Sequence, residues 1–288
     1  MAFIILLRVV LSVSANAVQK RLLLNGAGVN QTWILTYALM LGPAILAASF
    51  RPAGGGTPFW RDILLGGGLD AIGNLAMVAA LRGTDLSIFG PLNALRPILA
   101  LAAGWIFLRE APTAPGLAGI GITFLGALIL FGGQSAEKTP DQLSHFWRML
   151  FLRITGLSLG TIGAVFLKRA ALQSSAEMTV AAWIFCGLIV LLSFALIRRP
   201  QSLASLGAEL AKHRSWLGLH AIVFITMQWL TITIFQTTLL AYAFVFFQLA
   251  MVLQVVAGRL FFAEPAFRRR LLGAAVMTAG SGLIIWKG

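Results

Sequence analysis

Apolar residues in this chain form long unbroken runs, separated by short polar or glycine- and proline-containing breaks. The runs are about 20 residues long, the length at which an α-helix crosses the hydrocarbon core of a bilayer. They lack the period-two alternation of membrane barrel strands. A backbone surrounded by lipid must satisfy its own hydrogen bonds, so the pattern predicts an all-α integral membrane protein. Ten spans follow, at residues 2–22, 31–50, 62–81, 87–108 and 115–132, then 150–170, 178–197, 216–235, 240–262 and 270–286. The apolar start, Met1 to Leu7, lacks a small-residue cleavage site and reads as part of a retained first span. A basic loop from Arg198 to Arg214 leaves room for a short surface helix over 203–211.

The most polar segment near the middle holds Gln134, Glu137, Lys138, Asp141 and His145. It divides the chain into a first five-helix repeat over 1–133, a polar linker over 134–148 and a second five-helix repeat over 149–288. The two halves share a register. Glu110, Gly119 and Gly126 recur as Glu264, Gly273 and Gly280 at one offset of 154, which also relates Phe107 to Phe261, Leu117 to Leu271 and Asn74 to Gln228. Lys20-Arg21 recurs as Lys168-Arg169 at offset 148. Five is odd, so the second half crosses the membrane in the opposite sense. That predicts an inverted-topology pair with a site near the midplane.

Composition narrows the class. Hydrophobic residues make up 59% and charged residues 11%, against about 25% charged in a soluble domain. The net charge of +13 is placed mostly at span ends and in loops, where it meets phospholipid headgroups rather than nucleic acid. The single cysteine, Cys186, rules out an intramolecular disulfide and suggests no thiol metal site. His145, His213 and His220 are scattered, and there is no glycine-rich phosphate loop followed by Lys. The reading is therefore no enzyme, no catalytic group, no metal and no cofactor, with energy drawn from an ion gradient or the substrate's own gradient.

Charges inside spans are costly and mark candidate sites. Asp70 in span 3 and Arg96 in span 4 lie near the centres of adjacent, antiparallel spans and read as the only central charges. Two roles fit them. One is a structural ion pair that locks the two spans. In the other, Arg96 meets an anionic substrate group such as a carboxylate or phosphate, while Asp70 competes for it or takes a proton. At offset 154 their counterparts are Phe224 and Ala250, so the expected site is asymmetric. Asn16, Gln19 and Asn93 are further polar candidates in the first half, and Thr161, Gln228, Gln248 and Gln254 in the second. Interhelical hydrogen bonding is their ordinary role. Asn74 shares a helix face with Asp70, four residues away. Trp33, Tyr37, Trp183, Trp229 and Tyr242 form either an aromatic wall for an apolar or cationic substrate or interfacial anchors. Trp60, Trp147, Trp216 and Trp286 lie at span ends and read as anchors. Glu110 and Glu264 read as structural, capping the next helix or pairing with a basic neighbour.

The tails Phe107-Leu108-Arg109-Glu110 and Phe261-Phe262-Ala263-Glu264, each followed by its two glycines, resemble the EamA-type ten-helix branch of the drug/metabolite transporter superfamily. Pro97 and the basic pairs after spans 1 and 6 fit the same pattern. Two features depart from it: Met251 stands where the first half has Pro97, and span 2 has no basic residue near its start. The resemblance implies ten transmembrane helices as two inverted five-helix repeats, with the first four helices of each half facing a central cavity. It implies a multi-pass inner (plasma) membrane protein, monomer or homodimer. The function implied is secondary active transport by alternating access, most commonly export of an amino acid or related amphiphile, with a proton or other coupling ion as partner. A translocator of a lipid or lipid-linked intermediate is the alternative, and a non-transporting membrane subunit a third class. The resemblance implies cytoplasmic termini, whereas the loop charges, with six basic residues on that side against twelve opposite, point the other way.

Overall fold

The structure, a computed structural model, describes residues 2–50, 56–82, 91–96, 99, 114–131, 140–198, 200–237 and 240–287. Its helices are α1 (Ala2–Leu24), α2 (Val29–Ser49), α3 (Thr57–Arg82), α4 (Ala114–Phe131), α5 (Pro140–Ala171), α6 (Ala176–Arg198), α7 (Leu206–Thr237), α8 (Leu240–Phe262) and α9 (Phe267–Lys287). A 3-10 turn at Pro91–Ala94 and a four-residue helix at Gln201–Ala204 complete the described elements, and no strand occurs among them. Among the described residues six helices, α1, α2, α3, α5, α6 and α7, are long and apolar enough to cross a membrane. Most of span 4 (87–108), with Pro97 and Glu110, lies outside the described residues.

Three boundaries differ from the sequence reading. Helix α5 begins at Pro140, so the second part of the expected linker is helical and continuous with span 6. Asp141 in its first turn explains the early start, since an acidic side chain there offsets the positive end of the helix dipole. Helix α3 begins at Thr57 rather than 62. The expected surface helix over 203–211 begins at Leu206, and a break at His213 with φ −118° and ψ 17° separates it from span 8 within α7.

The chain forms two compact units, residues 1–78 with 159–238, and residues 79–158 with 239–288. Each unit draws on both halves of the sequence.

In the first unit α2 packs on α6 and α7, and α1 packs on α7. Val18, Leu22, Ala27, Leu35 and Leu217 bury a common cluster there. The turn that closes α1 holds Gly26, whose φ of +89° suits a residue without a β-carbon. The Gly26 N–H donates to Leu23 O and the Ala27 N–H to Leu22 O, both 3.1 Å, which satisfies carbonyls that a helix end otherwise leaves open. Helices α3 and α5 meet through glycines: a β-carbon on Gly66 would stand 3.0 Å from Gly163 O, and one on Gly163 2.9 Å from Gly66 O. Small residues permit this approach, and lipid offers no hydrophobic drive to replace it. Asp62, fully buried, ties the start of α3 to the end of α5 by accepting from Arg169 Nε at 3.2 Å and Gln173 Nε2 at 3.1 Å.

In the second unit α4 lies along α9, and α9 also packs on α8. The close contact uses the repeated glycines. A β-carbon on Gly280 would stand 2.8 Å from Gly119 O and 2.6 Å from the Thr123 backbone nitrogen. One on Gly126 would stand 3.0 Å from Gly273 O and 2.7 Å from the Met277 nitrogen. The turn from α8 into α9 places Ala263 and Ala266 at φ 51° and 56°. Glu264 within it is buried and pairs with Arg270 at 3.3 Å, the basic-neighbour role expected of it.

Candidate functional site

The first unit gathers polar and aromatic side chains inside its apolar helices. Asp70 sits a little past the middle of α3, half-buried. Its Oδ2 accepts from Asn74 Nδ2 at 2.7 Å, one turn along the same helix, and from Trp183 Nε1 of α6 at 3.0 Å. Two donors on one carboxylate oxygen lower the cost of holding that charge away from water. The β-carbon position of Gly67 lies 3.3 Å from Cys186 and 3.6 Å from the Trp183 ring, so α3 approaches α6 closely enough for the indole to reach Asp70.

Rings from three helices surround this point. Tyr37 of α2 packs edge-on to Trp33 at 5.3 Å between centroids and lies 5.1 Å from Trp183. Its ring rests on the bare backbone of Gly187. Phe224 of α7 stacks on Trp183 at 6.2 Å and on His220 at 5.5 Å, and meets Trp33 edge-on at 5.0 Å. Trp33, Tyr37 and Trp183 are 1% exposed or less, which excludes interfacial anchoring for them. The exposed Trp60, Trp147 and Trp216 fit that role.

His220 is oriented by Thr36, whose Oγ1 lies 3.0 Å from His220 Nδ1. Thr36 spends its one hydroxyl proton on the Thr32 carbonyl at 2.7 Å. With that proton on Thr32 the shared bond draws its proton from the imidazole, leaving Nε2 a lone pair; with the proton turned to Nδ1 the tautomer is the reverse. That Nε2, with Trp33 Nε1, is buried with no hydrogen-bond partner among the described residues.

The second unit holds another polar group. Arg153 of α5, buried, donates from Nη2 to Asn93 Oδ1 at 2.8 Å. Arg96 follows Asn93 by three residues, with its guanidinium over the Phe244 ring of α8 at 5.8 Å. Gln254 of α8 is fully buried.

Of the residues predicted from sequence, the structure brings together Asp70, Asn74, Tyr37 and Trp183 in one unit, and Arg96 with Asn93 in the other. Gln228 is half-buried on α7, one turn beyond Phe224, and Asn16 is half-buried on α1. Neither is hydrogen-bonded to the aromatic group among the described residues. Tyr242 and Gln248 lie on α8, but their side chains fall outside the described residues.

Asp70 and Arg96 are not the only charges inside apolar helices. Arg8 is buried in α1 and donates from Nε to Thr231 Oγ1 of α7 at 3.1 Å, and Arg153 is buried in α5. The rule that marks an intraspan charge applies to both. Arg153 escaped it because the expected span began at 150, which put the residue at a headgroup-facing end; α5 starts ten residues earlier. An apolar groove on the first unit, lined by Ala44, Ala47, Val180, Ile225 and Trp229, carries one carboxylate, Glu177.

No curated protein matches the sequence. A solved crystal structure of a protein aligns at a TM-score of 0.63 and 14% identity, over 99% of this chain and 96% of that one. At that identity the likeness speaks for the fold alone. Residues 1–132 match the EamA-like transporter family, and six helices among the described residues are long and apolar enough to cross a membrane, which together support a multi-pass membrane protein.

Proposed function

We propose that the chain is a secondary active transporter that exports a small organic metabolite, an amino acid or a related amphiphile, by alternating access across the inner membrane. Two inverted five-helix repeats, 1–133 and 149–288, form its ten spans. Asp70, Asn74, Tyr37 and Trp183 contact substrate, and Arg96 with Asn93 takes an anionic group. Asn16, Gln228, Tyr242 and Gln248 complete the polar lining. A proton or another ion supplies the coupling, and the protein works without a chemical step.

The observation that carries this reading is the Asp70 carboxylate, held inside a membrane helix by Asn74 and Trp183 amid buried rings. An intramembrane charge is retained against its solvation cost where it has work to do. Support for the repeat comes from the glycines. Gly280 meets Gly119 and Thr123, while Gly126 meets Gly273 and Met277. Each contact is the other with 154 exchanged between partners, as a two-fold relation requires. Phe224, at the same offset from Asp70, meets Trp183 as Asp70 does.

The test is counterflow in liposomes containing purified protein and loaded with labelled amino acids. Saturable exchange that Asp70→Asn abolishes without loss of folded yield is expected. Unchanged kinetics in both Asp70→Asn and Arg96→Ala would sink this assignment. The second reading, a lipid translocator, is favoured by the apolar groove with its single Glu177. Accelerated flip of a labelled lipid in the same liposomes would select it.

A further inference from the structure

The groove on the first unit has a charged end and an apolar floor. It encloses about 490 Å³, within the range of small-molecule sites. Glu177, in the first turn of α6, lines it together with Phe50 at the end of α2. Gln236 Nε2 of α7 donates to Ala171 O at 2.8 Å and to Ser174 O at 3.0 Å, so the end of α7 lies at the same face of the unit as the start of α6. Trp229 and Ile225 stand seven and eleven residues before Gln236, about 10 and 16 Å back along a helix. The groove therefore descends from the helix ends toward the middle of a hydrocarbon core about 30 Å thick. The small Ala44 and Ala47 form its floor, and the exposed Leu46 and Ile222 on the same helices leave it open to lipid. Glu177 is half-buried and has no hydrogen-bond or ion-pair partner among the described residues. An acid in a first turn offsets the helix dipole, but that holds on any face of α6 and does not explain why it lines a groove. No basic side chain lines the groove among the described residues. A lone carboxylate at the mouth of an apolar channel repels anionic headgroups and attracts a cation. An ammonium with N–H donors suits it better than a quaternary one, because charge-assisted hydrogen bonds add to the attraction.

We propose that this groove binds a phospholipid whose headgroup ends in a primary ammonium. The ammonium sits on the Glu177 carboxylate, and one acyl chain lies along Ala44, Ala47, Ile225 and Trp229. The phosphate stays on the water side, outside the uncharged part of the groove. The occupant comes from the bilayer because the groove opens onto the lipid-facing surface of α2 and α7. Binding here is separate from the polar group at Asp70 and holds whether or not the chain moves the lipid.

The experiment uses full-length protein in mixed micelles with phosphatidylethanolamine that carries a photoactivatable group on one acyl chain. Cross-links are mapped by peptide mass spectrometry. Labelling should concentrate at Ile225 and Trp229 rather than at Leu46 and Ile222. Unlabelled phosphatidylethanolamine should displace the label about tenfold better than phosphatidylcholine or phosphatidylglycerol, as one hydrogen bond to a charged group gives. Glu177→Gln should abolish that preference and leave the acyl chain in place. Ala47→Phe, which fills the floor, should remove the label. Elution as a monodisperse peak checks each variant, and Glu177→Gln decides the matter if Ala47→Phe does not fold. Labelling spread evenly over Leu46, Ile222 and the groove means ordinary lipid contact and overturns the proposal, as does a headgroup preference unchanged in Glu177→Gln. Stronger displacement by dodecylamine than by phosphatidylethanolamine overturns the phospholipid assignment and makes the ligand a free lipophilic amine.

Discussion

Gly280 of α9 lies so close to Gly119 of α4 that a β-carbon added to it would stand 2.8 Å from the Gly119 carbonyl oxygen. Two of the nearest atoms, Gly119 O and Thr123 N, are backbone, which cannot swing away. Gly280→Ala and Gly126→Ala should each destabilise the second unit by about 1–3 kcal/mol, the usual cost of overpacking. Gly121→Ala and Gly282→Ala, on the same two helices with nothing within 4 Å, should be neutral or slightly stabilising, since alanine favours helix. Thermal unfolding in one detergent compares all four. Equal melting points would show that the contact carries no weight.

Asp70 and Trp183 make a second discriminating pair. Trp183→Phe keeps the ring against Tyr37 and Phe224 but removes the indole donor 3.0 Å from the carboxylate. A hydrogen bond to a charged group contributes about 1.5–3 kcal/mol, so a stability loss of that order is expected. Asp70→Asn in the Trp183→Phe background should cost less than in wild type, because the charge-assisted bond it would weaken is already gone. Additive losses in this double-mutant cycle would mean the two groups are uncoupled.

The Asp62 cluster separates burial from pairing. Asp62 is fully buried, whereas the side chains of its partners Arg61 and Arg169 are 58% and 51% exposed. Asp62→Ala should cost about 1.5–3 kcal/mol, the contribution of hydrogen bonds to a charged group, because it removes the acceptor of Arg169 and one of the two acceptors of Gln173. Arg61→Gln should change stability by less than about 1 kcal/mol, as exposed pairs do. A larger effect of Arg61 than of Asp62 would reverse the assignment.

How much of this was readable in the sequence depends on what fixed each feature. The register of Gly119, Gly126, Gly273 and Gly280 was legible because close backbone approach admits only the smallest residues and must recur at helical spacing. Asp70 and Asn74 were legible as one face of one helix. The Trp183 contact was not, since the partner lies 113 positions away and only packing brings it near. Arg153 was hidden by a boundary: a charge three residues into a span looks interfacial, and it became buried when Asp141 and Pro140 extended the helix backwards. His220 gave no signal at all, because a lone histidine in an apolar run carries no spacing to match.

That histidine offers the sharpest test of the first unit's geometry. Thr36 has one hydroxyl proton, and the 2.7 Å contact with Thr32 O claims it. Thr36 Oγ1 is therefore the acceptor in its 3.0 Å contact with His220 Nδ1. The neutral ring should carry its proton on Nδ1, the less common tautomer in free histidine. The chain has three histidines, so nitrogen-15 spectra of protein labelled at histidine, with a His220→Gln variant for assignment, resolve the question. Thr36→Val keeps the shape, removes the acceptor, and should lower stability by about 1–3 kcal/mol, the cost of leaving a buried N–H unsatisfied. It should also move the His220 proton toward Nε2. Finding Nε2 already protonated in wild type would mean that Thr36 donates to the ring instead, and that the lone pair inferred beside Trp33 does not exist.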